Sequence, residues 1–189
     1  MTMRPEQAKA KDYLEQQGSS RSAAQIRDRV AAGFSALEEF LDGVSEADAR
    51  ARPMADEWTI QEIADHLVET HRPSVVELRE LLANRRPTSG PIPAALQSAH
   101  PMARRWTDVL NGLKRVQAEA VDALAEAPDM PTDARAPVVM VINVREADGH
   151  EAPLHWIEEL DWKAYAIVFR LHVLDHLGQA RKVLAAGRR

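Results

Sequence analysis

The sequence predicts an all-α fold, a four-helix bundle in an up-down-down-up arrangement, with a short β-hairpin or strand insert before the last helix. Apolar residues recur at helical spacing over three long stretches, and a fourth stretch is apolar on every side at its centre. A proline-rich connector, Pro87 to Pro101, separates the second stretch from the third. One short β-branched run, Val138 to Val144, precedes the fourth.

Met1 to Gln17 suits a short polar helix, stopped by Gly18-Ser19-Ser20; residues 1–20 read as an amino-terminal extension of a single 1–189 domain. Ser22 can cap the next helix, in which Ile26, Val30, Phe34, Leu37 and Leu41 recur at spacings of three and four. Asp42-Gly43 ends it, and Val44 to Glu57 is a connector with one turn around Glu46. Thr59 followed by Glu62 is a capping box, in which each side chain satisfies the other residue's backbone N–H. It opens the second bundle helix, with apolar positions from Ile60 to Leu82. Pro73 lies inside that stretch and, lacking a backbone N–H, should kink it or split it in two.

The Pro87–Pro101 connector holds four prolines and reads as a loop. A third bundle helix runs from about Met102 to Ala127 on Trp106, Val109, Leu113, Val116, Ala120 and Leu124. Val138 to Val144 reads as a strand, and Asp148-Gly149 as a turn returning the chain through Glu151 to His155. The last helix runs from about Ile157 to Ala186. Its centre, Tyr165 to Phe169, belongs inside the bundle or at a subunit contact.

Connector length carries topology. A helix of about 25 residues is roughly 37 Å long. Returning beside it takes at least about 11 extended residues. The Pro87–Pro101 loop is long enough, so the second and third helices can run parallel and the second and fourth antiparallel.

Composition sets outer limits. The 189 residues suffice for one domain with a core, and 45 % apolar with 28 % charged residues describes a soluble globular chain. A net charge of −5 argues against nucleic acid as a partner. The absence of cysteine excludes disulfides, thiolate metal sites and a cysteine nucleophile. Met1 to Lys11 has no apolar stretch like a signal peptide, and no run approaches the roughly 18 apolar residues of a membrane span. A cytoplasmic location is the default expectation.

Three histidines read as one site. His172 and His176 are spaced i, i+4, which puts both imidazoles on one helix face. His66 lies in the first third of the antiparallel second helix, at a matching level. Together they offer three nitrogen ligands and an open position, which separates a catalytic metal site from a structural one. The alternative is three polar residues tolerated in a bundle interior and bonded to Asp65 or Asp175. Gln179 shares the face of His172 and can orient a ligand or a bound water. Its alternative is a partly exposed polar residue near a helix end. Glu69 follows His66 by three and shares its face, as a candidate general base or fourth ligand. Glu62 is explained by capping, and Asp175 points about 100° from His176. His71 turns away from His66, towards the surface. His150 and His155 lie in the hairpin, near enough to reach the mouth of the site. Trp58, Trp106 and Trp162 suit core or pocket wall.

These motifs resemble the DinB/YfiT-like superfamily of metal-dependent four-helix bundles. Trp58-Thr59, Glu62 and His66-Leu67 match its first signature, and His172, Asp175-His176 and Gln179 its second. The resemblance covers about Ile26 to Ala186. It implies that the three histidines bind a divalent metal, zinc or nickel, and that the protein is a homodimer. Pro73 and the length of the strand insert depart from the pattern, and the extension before Arg21 has no counterpart in it.

The expected function is that of a metal-dependent enzyme acting on a small-molecule substrate. The resemblance implies a hydrolase or a transferase of low-molecular-weight thiols such as mycothiol, bacillithiol or glutathione. The alternative is a non-catalytic, dimeric metal-binding bundle of stress-response type.

Overall fold

The computed structural model describes residues 3–55, 57–146 and 148–188; Met1 and Thr2 of the expected first helix and Asp56 of the connector lie outside the described residues. Among the described residues are six α-helices and one two-stranded antiparallel hairpin placed before the last helix. The helices are α1 (Pro5–Ser19), α2 (Ala23–Asp42), α3 (Glu46–Arg50), α4 (Ile60–Leu82), α5 (Trp106–Ala123) and α6 (Trp162–Gly187). The hairpin pairs β1 (Ala136–Arg145) with β2 (Glu151–Leu160).

Local chemistry starts the helices where the sequence places them. The Ser22 hydroxyl accepts the Gln25 N–H at 3.2 Å, while the Gln25 side chain accepts the Ser22 N–H at 2.9 Å. Thr59 and Glu62 close the same reciprocal box at 3.1 and 2.7 Å. Each such cap contributes about 1 kcal/mol. Helix α4 packs on α5 and α6, and both of those pack on α2, while α1 lies against α6. One cluster of buried side chains runs through them, including Leu37, Ile60, Leu67, Leu78, Leu113 and Val173.

Several boundaries differ from expectation. Helix α4 continues unbroken through Pro73. The proline removes one N–H, the one that would meet the Glu69 carbonyl, and packing on two sides holds the remaining turns together. The third bundle helix is shorter than Met102 to Ala127. Pro101–Ala103 forms a separate 3-10 turn, and Arg104 and Arg105 are extended. The Gln61 side chain, which donates to the Pro101 and Arg104 carbonyls at 2.8 and 3.0 Å, anchors that break.

The last helix begins at Trp162, not Ile157. The ladder with β1 continues to the pair Ala136–Leu160 and claims residues 157–160. Asp161 then caps α6 by accepting the Ala164 N–H at 3.0 Å. Gly149, at φ +88°, supplies the left-handed turn between the strands. The apolar centre of α6 is buried within the chain, against α1, α2 and α4. The Lys163 ammonium locks α1 there, donating to the Gly18 and Arg21 carbonyls at 3.2 and 2.7 Å. Among the described residues, no helix is long and apolar enough to cross a membrane.

Candidate metal centre

Helices α4 and α6 run antiparallel, which brings His66 beside His172 and Glu77 beside Tyr165. The Nε2 atom of His172 lies 3.0 Å from Nε2 of His66 and 3.1 Å from Nε2 of His176. Ligand atoms of the three rings all lie within 4.8 Å of one another, a group that can hold a metal ion.

The outer nitrogens decide which tautomers are present. His66 Nδ1 is 2.7 Å from the Leu96 carbonyl, which only accepts, so Nδ1 carries the proton. Gln179 donates its Nε2 to the Glu57 carboxylate at 3.3 Å. Its Oε1 is therefore the atom facing His176 Nδ1 at 2.9 Å, and that nitrogen also carries the proton. The Nε2 atoms of His66 and His176 then present bare lone pairs to His172 Nε2. A single ring nitrogen can donate to only one of them. A cation would satisfy all three, and the observed edges compare with roughly 3.3 Å expected between tetrahedral zinc ligands.

Two anchors behind the rings hold this arrangement. Asp65, fully buried, accepts from Arg104 at 2.6 Å and from the Ser98 N–H and hydroxyl at 2.8 and 2.9 Å. That pins the loop whose Leu96 carbonyl orients His66. Gln179 is tied through Glu57 to Lys182, whose ammonium lies 2.9 Å from the carboxylate. Trp58 covers the site, its ring 5.0 Å from that of His66 and stacked at 6.1 Å on that of His176. Burial, followed by the neighbouring His176, pushes His66 down to about 4. Burial likewise pushes His172 well below the ordinary imidazole value, and His176 below it. The rings are thus neutral at neutral pH, the form that ligates metals.

His71 corrects a sequence expectation. It is fully buried rather than exposed, edge-on to Phe169 at 4.4 Å, with neither ring nitrogen hydrogen-bonded. Five residues rotate it about 140° from His66. Because α4 is packed on several sides, that direction also points inward, at Phe34 of α2 and Phe169 of α6. Glu69 stands outside the three-histidine group, in ion pairs with Arg72 at 2.8 Å and Arg104 at 3.2 Å. Asp175 is exposed. His150 bonds Asp148 in the exposed hairpin turn, whereas His155 lines a cavity beside the three histidines.

The three histidines open into a cavity of about 890 Å³ lined by α1, α4, α6, β1, His155 of β2 and residues 92–95 of the long loop. Its volume suits a drug-sized molecule. Four residues of α4 reach it: His66, Thr70, Ser74 and Glu77. Of these, the sequence reading singled out His66 alone. The others were detectable as a polar series at i, i+4, i+8 and i+11 on the ligand's own face.

The DinB superfamily's sequence profile matches residues 21–167. The chain belongs to the DinB superfamily. The match takes in α2 to the start of α6, with the His66 signature, and ends before His172 and His176. In this DinB chain the late pair is therefore supported by its geometry rather than by the profile. No curated protein matches the chain.

Proposed function

We propose that this DinB-superfamily protein is a divalent-metal-dependent enzyme, a hydrolase or a low-molecular-weight-thiol transferase, with His66, His172 and His176 as the zinc or nickel ligands. The observation that carries this reading is two proton-locked imidazoles aiming bare Nε2 lone pairs at a third, at one end of a large cavity. When bound, the metal supplies a Lewis acid and lowers the pKa of a bound water or thiol. Leu96 and Gln179 hold the ligand protons on Nδ1, Trp58 shields the rings, and the cavity walls take the substrate. Glu69, three residues from His66 and paired with Arg72 and Arg104, is the candidate general base of this reading.

The wider reading is a single-domain, up-down-down-up bundle, cytoplasmic and homodimeric. The dimer rests on family resemblance, since α1, α2 and α4 cover the apolar centre of α6. Sedimentation as a monomer at micromolar concentration would contradict it. A second reading, a non-catalytic metal-binding bundle, draws support from Glu69. No carboxylate among the described residues joins the three-histidine group.

Metal content by plasma mass spectrometry on untagged protein tests the site. About one zinc or nickel per chain is expected, lost in His172→Ala. No metal in the wild type, even after reconstitution, overturns the proposal. Bound metal without hydrolase or thiol-transfer turnover selects the second reading. Gln179→Ala should weaken metal binding about 10- to 100-fold in a chelator competition, because it frees the His176 ring. An unchanged affinity would confine Gln179 to the Glu57–Lys182 network.

A further inference from the structure

The polar stripe of α4 ends far from the metal centre in a group that the proposed chemistry does not use. From His66 to Glu77 the helix rises roughly 16 Å. The Thr70 and Ser74 hydroxyls between them are spent on the helix's own carbonyls, at 2.7 and 2.8 Å. Glu77 is different. It is 3 % exposed, lines the cavity, and receives only neutral donors: Tyr165 at 2.6 Å on one oxygen and Ser89 at 2.7 Å on the other.

Among the described residues its carboxylate meets no lysine, arginine or histidine in an ion pair, only these two hydroxyls. A buried carboxylate without a counter-charge is costly unless something in the cavity supplies the charge. Each Glu77 oxygen keeps a free acceptor position, and the phenolic oxygen of Tyr165, beside the Ser74 hydroxyl, offers a third while that hydroxyl donates to the Thr70 carbonyl. Burial and Glu77 together push the Tyr165 hydroxyl well above its ordinary value, so it stays a neutral donor to the carboxylate. The cavity lining is mostly apolar, including Val139, Met140, Ile142, Phe169 and Leu171, with Thr70, Ser74, Asn143, His155 and Asp175 among its other polar members.

We propose that Glu77 and Tyr165 form a recognition subsite for a primary ammonium group, and that the cavity takes an elongated amine with an apolar body. Three acceptor positions match the three N–H donors of an ammonium; a quaternary ammonium offers none. The placement of the substrate's reactive end at the three histidines rests on the metal-enzyme reading. Ammonium recognition does not, and the test separates them.

Calorimetric titration of chelator-treated and metal-loaded protein with octylamine, octanol and octyltrimethylammonium provides that test. Octylammonium is expected to bind saturably to both forms, about 10- to 100-fold more tightly than either comparison compound. Glu77→Gln, which keeps the volume, should remove that preference, and Tyr165→Phe should weaken it. Equal binding of octanol, absence of saturable octylamine binding, or a folded Glu77→Gln variant with undiminished preference would overturn the proposal. If Glu77→Gln does not fold, the comparison of the three probes on wild type still decides. Failure of the metal reading would leave octylammonium binding intact, whereas failure of this inference would leave the metal content intact.

Discussion

Asp65→Ala is expected to lower stability by about 2–3 kcal/mol and metal affinity by about 10- to 100-fold in one substitution. The side chain is fully buried and makes three short bonds, to the Arg104 guanidinium and to both donors of Ser98. Removing one partner of a buried pair typically costs about 3–5 kcal/mol. The lower figure applies here because Arg104 is partly exposed and keeps Glu69 at 3.2 Å. In a chain of this size the loss corresponds to a fall in Tm of about 4–12 °C, read by thermal denaturation of the metal-free protein.

The effect on metal follows a separate route. Ser98 is two residues from Leu96, whose carbonyl fixes the His66 proton on Nδ1. A released loop frees the ring to rotate and to adopt the other tautomer, which removes the lone pair from the cluster. Asp65→Asn tests the division, since it retains an acceptor for Ser98 while losing the charge that faces Arg104. It should keep more metal affinity than stability. A fall in Tm with unchanged zinc affinity in Asp65→Ala would show that the loop does not orient His66.

This coupling marks where sequence legibility ends. The Thr59–Glu62 box and the i, i+4 spacing of His172 and His176 are local rules, and both are met in the structure. The antiparallel meeting of α4 and α6 followed from connector length. The anchors were hidden, because Leu96, Ser98 and Arg104 belong to irregular chain whose position depends on long-range contacts. The offset of His71 from His66 leads to the surface only on a helix with one buried stripe, and α4 is packed on several sides. Residues 157–160 satisfy both helical and strand patterns, and pairing with β1 resolved the conflict in favour of the strand. Pro73 predicts a break in α4, and a break there would divide the polar series that in the structure crosses it.

Acidification of the metal-free protein from pH 7 to pH 5 should destabilise it by at least about 2 kcal/mol. His66 has its folded value depressed to about 4 from an ordinary 6.5, chiefly by burial. Above 6.5 the ring is neutral in both folded and unfolded chains, and its full contribution is present. As pH falls from 6.5 towards 4, the unfolded chain takes up a proton that the folded chain refuses, so stability is lost across that window. His172, His176 and fully buried His71 are depressed for the same leading reason and add in the same direction. The carboxylates with depressed values, such as Glu57, act mainly below this window, because their ordinary value is 4.5. The loss between pH 7 and pH 5 is therefore an imidazole effect. Thermal melts with chelator present should show Tm falling by about 4–8 °C or more over those two pH units. Added zinc at about 100 times its dissociation constant should raise Tm at pH 7 by an amount equivalent to about 2.7 kcal/mol. That gain should shrink at pH 5, where protons compete for the same nitrogens. A Tm that stays constant from pH 7 to pH 5 would mean that the four rings are protonated as readily in the folded chain as in the unfolded one. The neutral, inward-facing imidazoles on which the metal centre depends would then be the wrong description of the site.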